Sequence, residues 1–345
     1  MSPQDERPAG WLADRVGWAG IVARLSTHRA PRRSFVFYLG GITLFLLFIQ
    51  VLSGILLVLY YRPDPAHAHE SVEQIIGELP YGNLIHAVHA WSSDLFVACL
   101  LAHMFTVVVR RSFRAPHELS WLSGLAALVI GIGLAFTGAI LPWTEAAYTH
   151  ARVGSQLAGK FPFFGEWLRR FLRGGDEVTL GTLGHAYGFH VAGLPACLTL
   201  VVAVHLFLLL RKPVIRTDAA EQETIPLYPE FIVRQAAAQV GVLVVIMTLA
   251  IFAQRNLGPA ADPTQPTPVG AGPPWYMLPV HAIVRDAPTE LLGIDGARFL
   301  VGIACFIAVL VAALPFLDRK GSRVTAWLAW TALLALSLLA VHALS

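Results

Sequence analysis

Four histidines sit inside long apolar stretches, in two pairs. His89 and His103 are fourteen residues apart, and His190 and His205 fifteen. A titratable ring within an apolar span marks function by default, because burying it is costly. On helices rising about 1.5 Å per residue, each pair spans roughly 21–23 Å, the first drifting about −40° around its helix and the second about +60°. Each pair therefore lies loosely on one face, one ring near each end. Two such helices running in the same direction set His89 opposite His190 and His103 opposite His205. A lone intramembrane histidine is explained by a helix–helix hydrogen bond. Two matched pairs point instead to two non-covalent haems, each between two axial imidazoles. That ligation leaves the iron no open position and suits electron transfer.

A porphyrin is broad and flat, and fits a tight bundle only where neighbouring helices lack side chains. Gly41 and Gly54 are thirteen residues apart, and Gly124 and Gly138 fourteen, in step with the histidines. Small residues also mediate ordinary packing between membrane helices. The shared spacing favours notches for the two haems.

The elements that must position these groups are transmembrane helices. Hydrophobic residues make up 56% of the chain and charged residues 14%, against about a quarter charged in soluble domains. Seven segments, A to G, reach or approach the roughly 20 apolar residues needed to span a bilayer: 35–61, 84–109, 119–141, 187–210, 231–252, 299–317 and 324–344. The expected fold is an all-α integral membrane protein of seven transmembrane helices, a four-helix di-haem bundle followed by three C-terminal helices. Residues 1–34 read as an amphipathic interfacial segment without a cleavable signal, 35–216 as the four-helix core, and 217–345 as the three-helix region with a Pro-Pro-Trp-Tyr loop.

Arg and Lys crowd the N-terminal segment and alternate connections (Arg110, Arg111, Arg114; Arg211, Lys212, Arg216; Arg319, Lys320, Arg323), whereas the A–B loop carries Asp64, Glu70, Glu73 and Glu78. Cytoplasmic loops hold the positive excess. The N-terminus is therefore expected inside, the C-terminus outside, in a bacterial inner membrane in contact with lipid. The net charge of +3 is accounted for by this topology, and no nucleic-acid partner is expected. Cys99, Cys197 and Cys305 lie within apolar spans, and no Cys-x-x-Cys-His attachment signature is present.

With these residues in view, the chain resembles cytochrome b of the quinol–cytochrome c reductases. The likeness is carried by 37–43 (FYLGGIT), 60–63 (YYRP), 86–91 (HAVHAW), 118–121 (ELSW), 137–143 (TGAILPW), 187–190, 211–212 and 274–279 (PWYMLP). The fourteen- and fifteen-residue spacings resemble the photosynthetic-type branch, in which the protein is split into two subunits; here the halves look fused through 217–229. The resemblance implies b-type haems, quinol oxidation at the outer face and quinone reduction at the inner face. It also implies a Rieske iron–sulfur protein and a c-type cytochrome as partners, and a homodimer within the complex. It places Trp275 and Tyr276 in the outer pocket, with Tyr276 among the catalytic residues.

Three residues depart from the family. Pro274 stands where the family has a glutamate in Pro-Glu-Trp-Tyr, and proline can neither accept a proton nor donate a backbone hydrogen bond. Substitute bases on that side are Glu145, His281 and Asp286. Glu145 is preferred because the resemblance sets the stretch after segment C beside the quinol; an interfacial charge is its other reading. Tyr38 replaces the cysteine that tethers an extra haem in the photosynthetic branch, so no covalent third haem is expected. His86 stands where an arginine near a haem propionate is usual. Arg211 reads either as a partner for a propionate or quinone head group, or as a positive-inside residue. The rival function keeps both haems but lacks a bifurcating outer site, making the chain a di-haem electron conduit or quinone reductase in another respiratory assembly.

Overall fold

The computed structural model describes residues 29–31, 35–211, 224–264 and 272–318. Among them, five helices are long and apolar enough to cross a membrane: Val36–Val58, Gly82–Val109, Glu118–Ile140, Gly181–Arg211 and Leu227–Phe252. These are segments A to E. Segment F is represented by the shorter apolar helix Gly296–Ala312, while segment G and nearly all of the N-terminal segment lie outside the described residues. Seven spans were expected; five are seen.

The helices are α1 (Leu39–Val58), α2 (Ala68–Gly77), α3 (Gly82–Val109), α4 (Glu118–Ile140), α5 (Glu145–Gly159), α6 (Gly165–Arg173), α7 (Leu180–Gly188), α8 (Leu194–Arg211), α9 (Ile232–Phe252), α10 (Leu278–Arg285), α11 (Gly296–Ala312) and α12 (Leu314–Leu317). Helix α1 packs along α3 and α4 along α8, while α9 lies against α3 and α1. The centre of the bundle is a buried cluster of Ile42, Leu46, Ile49, Phe96, Val97, Ala127, Leu198 and Ile246. The outward faces are equally apolar, with Phe48, Ile55, Val129, Leu200 and Val244 exposed. Helices apolar all round belong in a core or a bilayer, and these faces are turned toward lipid.

Segment D is one span with an irregularity. Helices α7 and α8 are joined by a π turn, Phe189–Gly193, closed by the Leu194 N–H on the Phe189 carbonyl. Pro195 follows directly; it has no N–H to offer the carbonyl one turn back and its ring crowds that turn. A π turn holds one residue more than an α turn. The fifteen-residue interval from His190 to His205 is thereby brought into phase with the fourteen of α3.

The C–D connection folds as α5 and α6. Thr144 caps α5 by accepting the Ala147 N–H at 3.1 Å, and Thr179 and Thr182 form a reciprocal capping box at the start of α7. The strand β1 (Arg29–Pro31) pairs antiparallel with β2 (Thr224–Pro226). The described end of the N-terminal segment is thus extended and paired.

Candidate functional site

Helices α3 and α8 bring the four histidines together as two pairs. The His89 and His190 rings have centroids 6.2 Å apart at an interplanar angle of 81°. A bond of about 2 Å from each nitrogen to a metal, with roughly 1 Å from nitrogen to ring centre, calls for roughly this separation. His103 and His205 are near enough to interact electrostatically. Gln50 of α1 fixes α3 at the upper level, donating to the His89 carbonyl at 2.7 Å and to Ser92 at 2.7 Å.

The ring nitrogens are oriented by hydroxyls. Ser53 Oγ lies 2.9 Å from His89 Nδ1, Ser123 Oγ 3.0 Å from His205 Nδ1, and Thr137 Oγ1 3.4 Å from His190 Nδ1. Each hydroxyl already donates its proton to a carbonyl of its own helix, that of Ile49, Ser120 or Gly133. It therefore accepts from Nδ1–H, and His190 Nδ1 also donates to the Leu134 carbonyl at 3.0 Å. A ring held as the Nδ1–H tautomer leaves the Nε2 lone pair for a metal, the outer-shell pattern of histidine ligands. His103 differs: its buried Nδ1 has no hydrogen-bond partner among the described residues.

Each hydroxyl residue immediately precedes a notch glycine. A Cβ added at Gly54 would lie 3.3 Å from His89 Cε1, at Gly124 3.3 Å from His205 Cε1, and at Gly138 2.6 Å from His190 Cε1. The fourth notch is one residue away from the expected position. Gly41 faces Gln235, whose amide a Cβ would meet at 2.6 Å, while Gly40 faces His103 Cε1 at 3.2 Å. Gln239 also donates to the Gly41 carbonyl at 3.0 Å, so Gly41 serves the approach of α9. The notches at 40, 54, 124 and 138 thus share the fourteen-residue interval of α3. The Ser-Gly and Thr-Gly dipeptides were the overlooked signal; the notch at Gly40 has Leu39 in that place.

The Pro-Pro-Trp-Tyr stretch meets α3. Trp275 Nε1 donates to Asp94 Oδ1 at 2.9 Å, and Arg255, just beyond α9, pairs with Asp94 Oδ2. The Arg255 guanidinium lies 4.0 Å over the Trp91 ring, and Trp91 Nε1 reaches the Ala253 carbonyl at 2.9 Å. Among the described residues, the buried Tyr276 hydroxyl has no hydrogen-bond partner; burial, and after it the Asp94 carboxylate, push its pKa well above the ordinary phenol value. His86 is within electrostatic reach of Arg255.

Glu145 occupies the first turn of α5, where its backbone N–H bonds the Pro259 carbonyl at 3.1 Å; its carboxylate makes no hydrogen bond or ion pair among the described residues. The neighbouring Trp143 adopts a left-handed φ of 47°, strained for a bulky residue and tied by the Ala261 N–H to its carbonyl at 2.9 Å. His281 lines a cavity of about 450 Å³ with Lys160, Arg169, Arg285 and Arg298. Asp286 is bound by Arg285 at 2.8 Å. Arg211 stacks on Phe207 at 5.0 Å and is exposed. Tyr38 packs on Phe231 with centroids 5.1 Å apart.

The structure is a bundle of apolar membrane-length helices with imidazoles at two levels, each ring backed by a glycine. Two family models match: Cytochrome b/b6/petB over residues 25–213 and Cytochrome b(C-terminal)/b6/petD over residues 260–345. The chain belongs to the cytochrome b family, with its b6-type and C-terminal parts fused in one polypeptide. It is 34% identical over 327 residues to a cytochrome bc complex cytochrome b subunit of Chlorobaculum thiosulfatiphilum, covering 91% of this chain and 74% of that one. Over 204 residues it is 36% identical to cytochrome b6 of Heliobacterium modesticaldum, covering 58% of this chain and 95% of that one. Cytochrome b of Rhodobacter capsulatus is 30% identical over 339 residues, with 91% and 77% covered. A solved structure titled hyperthermophilic respiratory Complex III shares the fold, with a TM-score of 0.79 and 24% identity over 96% of each chain.

Proposed function

We propose that the chain is the haem b subunit of a quinol-oxidising cytochrome bc-type complex, carrying electrons across the membrane between an outer and an inner quinone site. The observation that carries this reading is the two imidazole levels: His89 facing His190 and His103 within electrostatic reach of His205, with three of the four rings held against a hydroxyl as Nδ1–H tautomers. Levels fourteen residues apart stand roughly 21 Å from each other along α3, most of the way across a hydrocarbon core of about 30 Å.

Haem held at these levels would supply one-electron transfer chemistry. His89 with His190 would hold the outer haem, and His103 with His205 the inner one. Gly40, Gly54, Gly124 and Gly138 keep the walls flat against it. Trp275 and Tyr276 form part of the outer quinol pocket; His86 and Arg255 are within electrostatic reach of each other on the same side. Arg211 marks the inner end of α8. Partners in this reading are a Rieske iron–sulfur protein and a c-type cytochrome, within a homodimeric complex in a bacterial inner membrane, N-terminus inside and C-terminus outside.

The test is to isolate the intact complex. A dithionite-reduced spectrum with two low-spin b-type components, a Rieske electron-paramagnetic signal and quinol-dependent cytochrome c reduction are expected. Protein without haem refutes the reading. The second reading, a conduit without bifurcation, is favoured by Pro274; haem with no Rieske cluster would establish it instead.

A further inference from the structure

We infer that Asp94 is the proton-accepting carboxylate of the outer quinol site, in place of the acid missing at Pro274. The assignment rests on the quinol-oxidising reading above.

Asp94 is the only acid within α3. A carboxylate inside a membrane span is expensive and is kept where it does work or finds a partner. It follows His89 by five residues, about 7.5 Å along the axis and roughly 140° around it. The turn away from His190 points it at α9 and the Pro-Pro-Trp-Tyr stretch. Its contacts agree: Oδ1 accepts from Trp275 Nε1 at 2.9 Å and Oδ2 pairs with Arg255. An ionised carboxylate has about four acceptor positions, so two are left, and 29% of the side chain is exposed. The second pocket residue, Tyr276, is within electrostatic reach of the same carboxylate.

The charge pattern points the same way. By resemblance, this chain lacks an arginine at His86 and an acid at Pro274. The Arg255 guanidinium is within electrostatic reach of His86, and the Asp94 carboxylate touches the residue after Pro274. The two missing charges thus return as one ion pair at the same corner, donated by α3 and the loop after α9. Glu145 sits in the first turn of α5, where an acid is stabilised by the helix dipole.

The step is a proton transfer. The O–H bond of a bound quinol breaks, its proton forms a bond to an Asp94 oxygen, and the electron pair stays on the quinol oxygen as quinolate. Asp94 becomes a neutral acid, and its ion-pair attraction to Arg255 is lost.

The experiment uses the purified holo-complex, oxidising a short-chain quinol with cytochrome c as the final acceptor. Asp94→Asn keeps an acceptor for Trp275 but loses the base, and a positioned base contributes about 10²–10⁴-fold. The kcat should fall about 100-fold or more with KM within about threefold and both haem bands intact, and Asp94→Glu should restore at least a tenth of wild-type kcat. In the wild-type complex, quinol-induced infrared difference spectra should show a carboxylic acid carbonyl band that shifts with 13C-aspartate and not with 13C-glutamate. That measurement decides the case even if Asp94→Asn fails to assemble. Asp94→Asn at wild-type kcat, a band following glutamate, or the same loss in Glu145→Gln instead overturns the assignment. A wild-type complex that oxidises no quinol refutes the quinol-oxidising reading itself, and this assignment with it.

Discussion

Exchanging Gly138 for alanine tests the haem cradle where it is tightest. The new Cβ would lie 2.6 Å from His190 Cε1, 3.1 Å from Nδ1 and 3.3 Å from Nε2. Carbon atoms pack at about 3.5–4.0 Å, so the ring must retreat roughly 0.9 Å. It is not free to do so, because Nδ1 is held by the Leu134 carbonyl at 3.0 Å and by Thr137 at 3.4 Å. Metal–ligand bonds tolerate only about 0.2 Å. Overpacking of this kind costs about 1–3 kcal/mol, which is roughly 5–150-fold in affinity for the outer haem. Gly54→Ala, with 3.3 Å to His89 Cε1, asks for only a few tenths of an ångström and should keep the same haem. The assay is haem per polypeptide by pyridine haemochrome, with a redox titration of the α-band. The reasoning is refuted if Gly138→Ala holds two haems at wild-type potentials, or if Gly54→Ala is the more damaging change.

The register of the inner notch can be read from neighbouring glycines. Gly40→Ala should shift the inner α-band at low temperature by crowding His103, whereas Gly41→Ala, meeting only the mobile end of Gln235, should leave it in place. Ser123→Ala removes the acceptor 3.0 Å from His205 Nδ1, so the imidazole donates less charge and the inner midpoint potential should rise while the outer one stays. Equal movement of both potentials would contradict this. Arg114→Ala strands the Asp318 carboxylate, which has 0% side-chain exposure; breaking such a pair costs about 3–5 kcal/mol, so thermal unfolding in detergent should come clearly earlier, and Arg114→Ala/Asp318→Asn should regain part of the loss.

The spans were legible because apolar length and charge asymmetry are written residue by residue, and A to E fall close to where hydropathy put them. The facing of His89 and His190 was legible from the spacing of the spans, which makes both helices run in the same direction. What escaped were features that depend on contacts between helices. Choosing Gly41 over Gly40 was a one-residue error in a helix where one residue is 100°, and only the approach of Gln235 reveals which glycine faces α9. The fifteen-residue interval of segment D looked like a phase mismatch until the π turn before Pro195 took up the extra residue. Ser53, Ser123 and Thr137 read as ordinary small residues, their role visible only with a ring beside them. Asp94 was the one avoidable omission, since a lone acid in a span could have been flagged from sequence. Its partners could not, because Arg255 and Trp275 lie 161 and 181 residues away.

The antiparallel pairing of Arg29–Pro31 with Thr224–Pro226 has a bearing on how such a chain could be made. It joins the stretch before the first span to the stretch before the fifth, next to the connection at 212–223. Gln239 on the Gly41 carbonyl and Arg255 on Asp94 fasten the same two parts at other depths. These contacts would hold the two parts together without the peptide bond between them. A gene cut within that connection should yield two polypeptides that find each other unaided, and fusion or fission of the reading frame becomes a matter of stoichiometric synthesis.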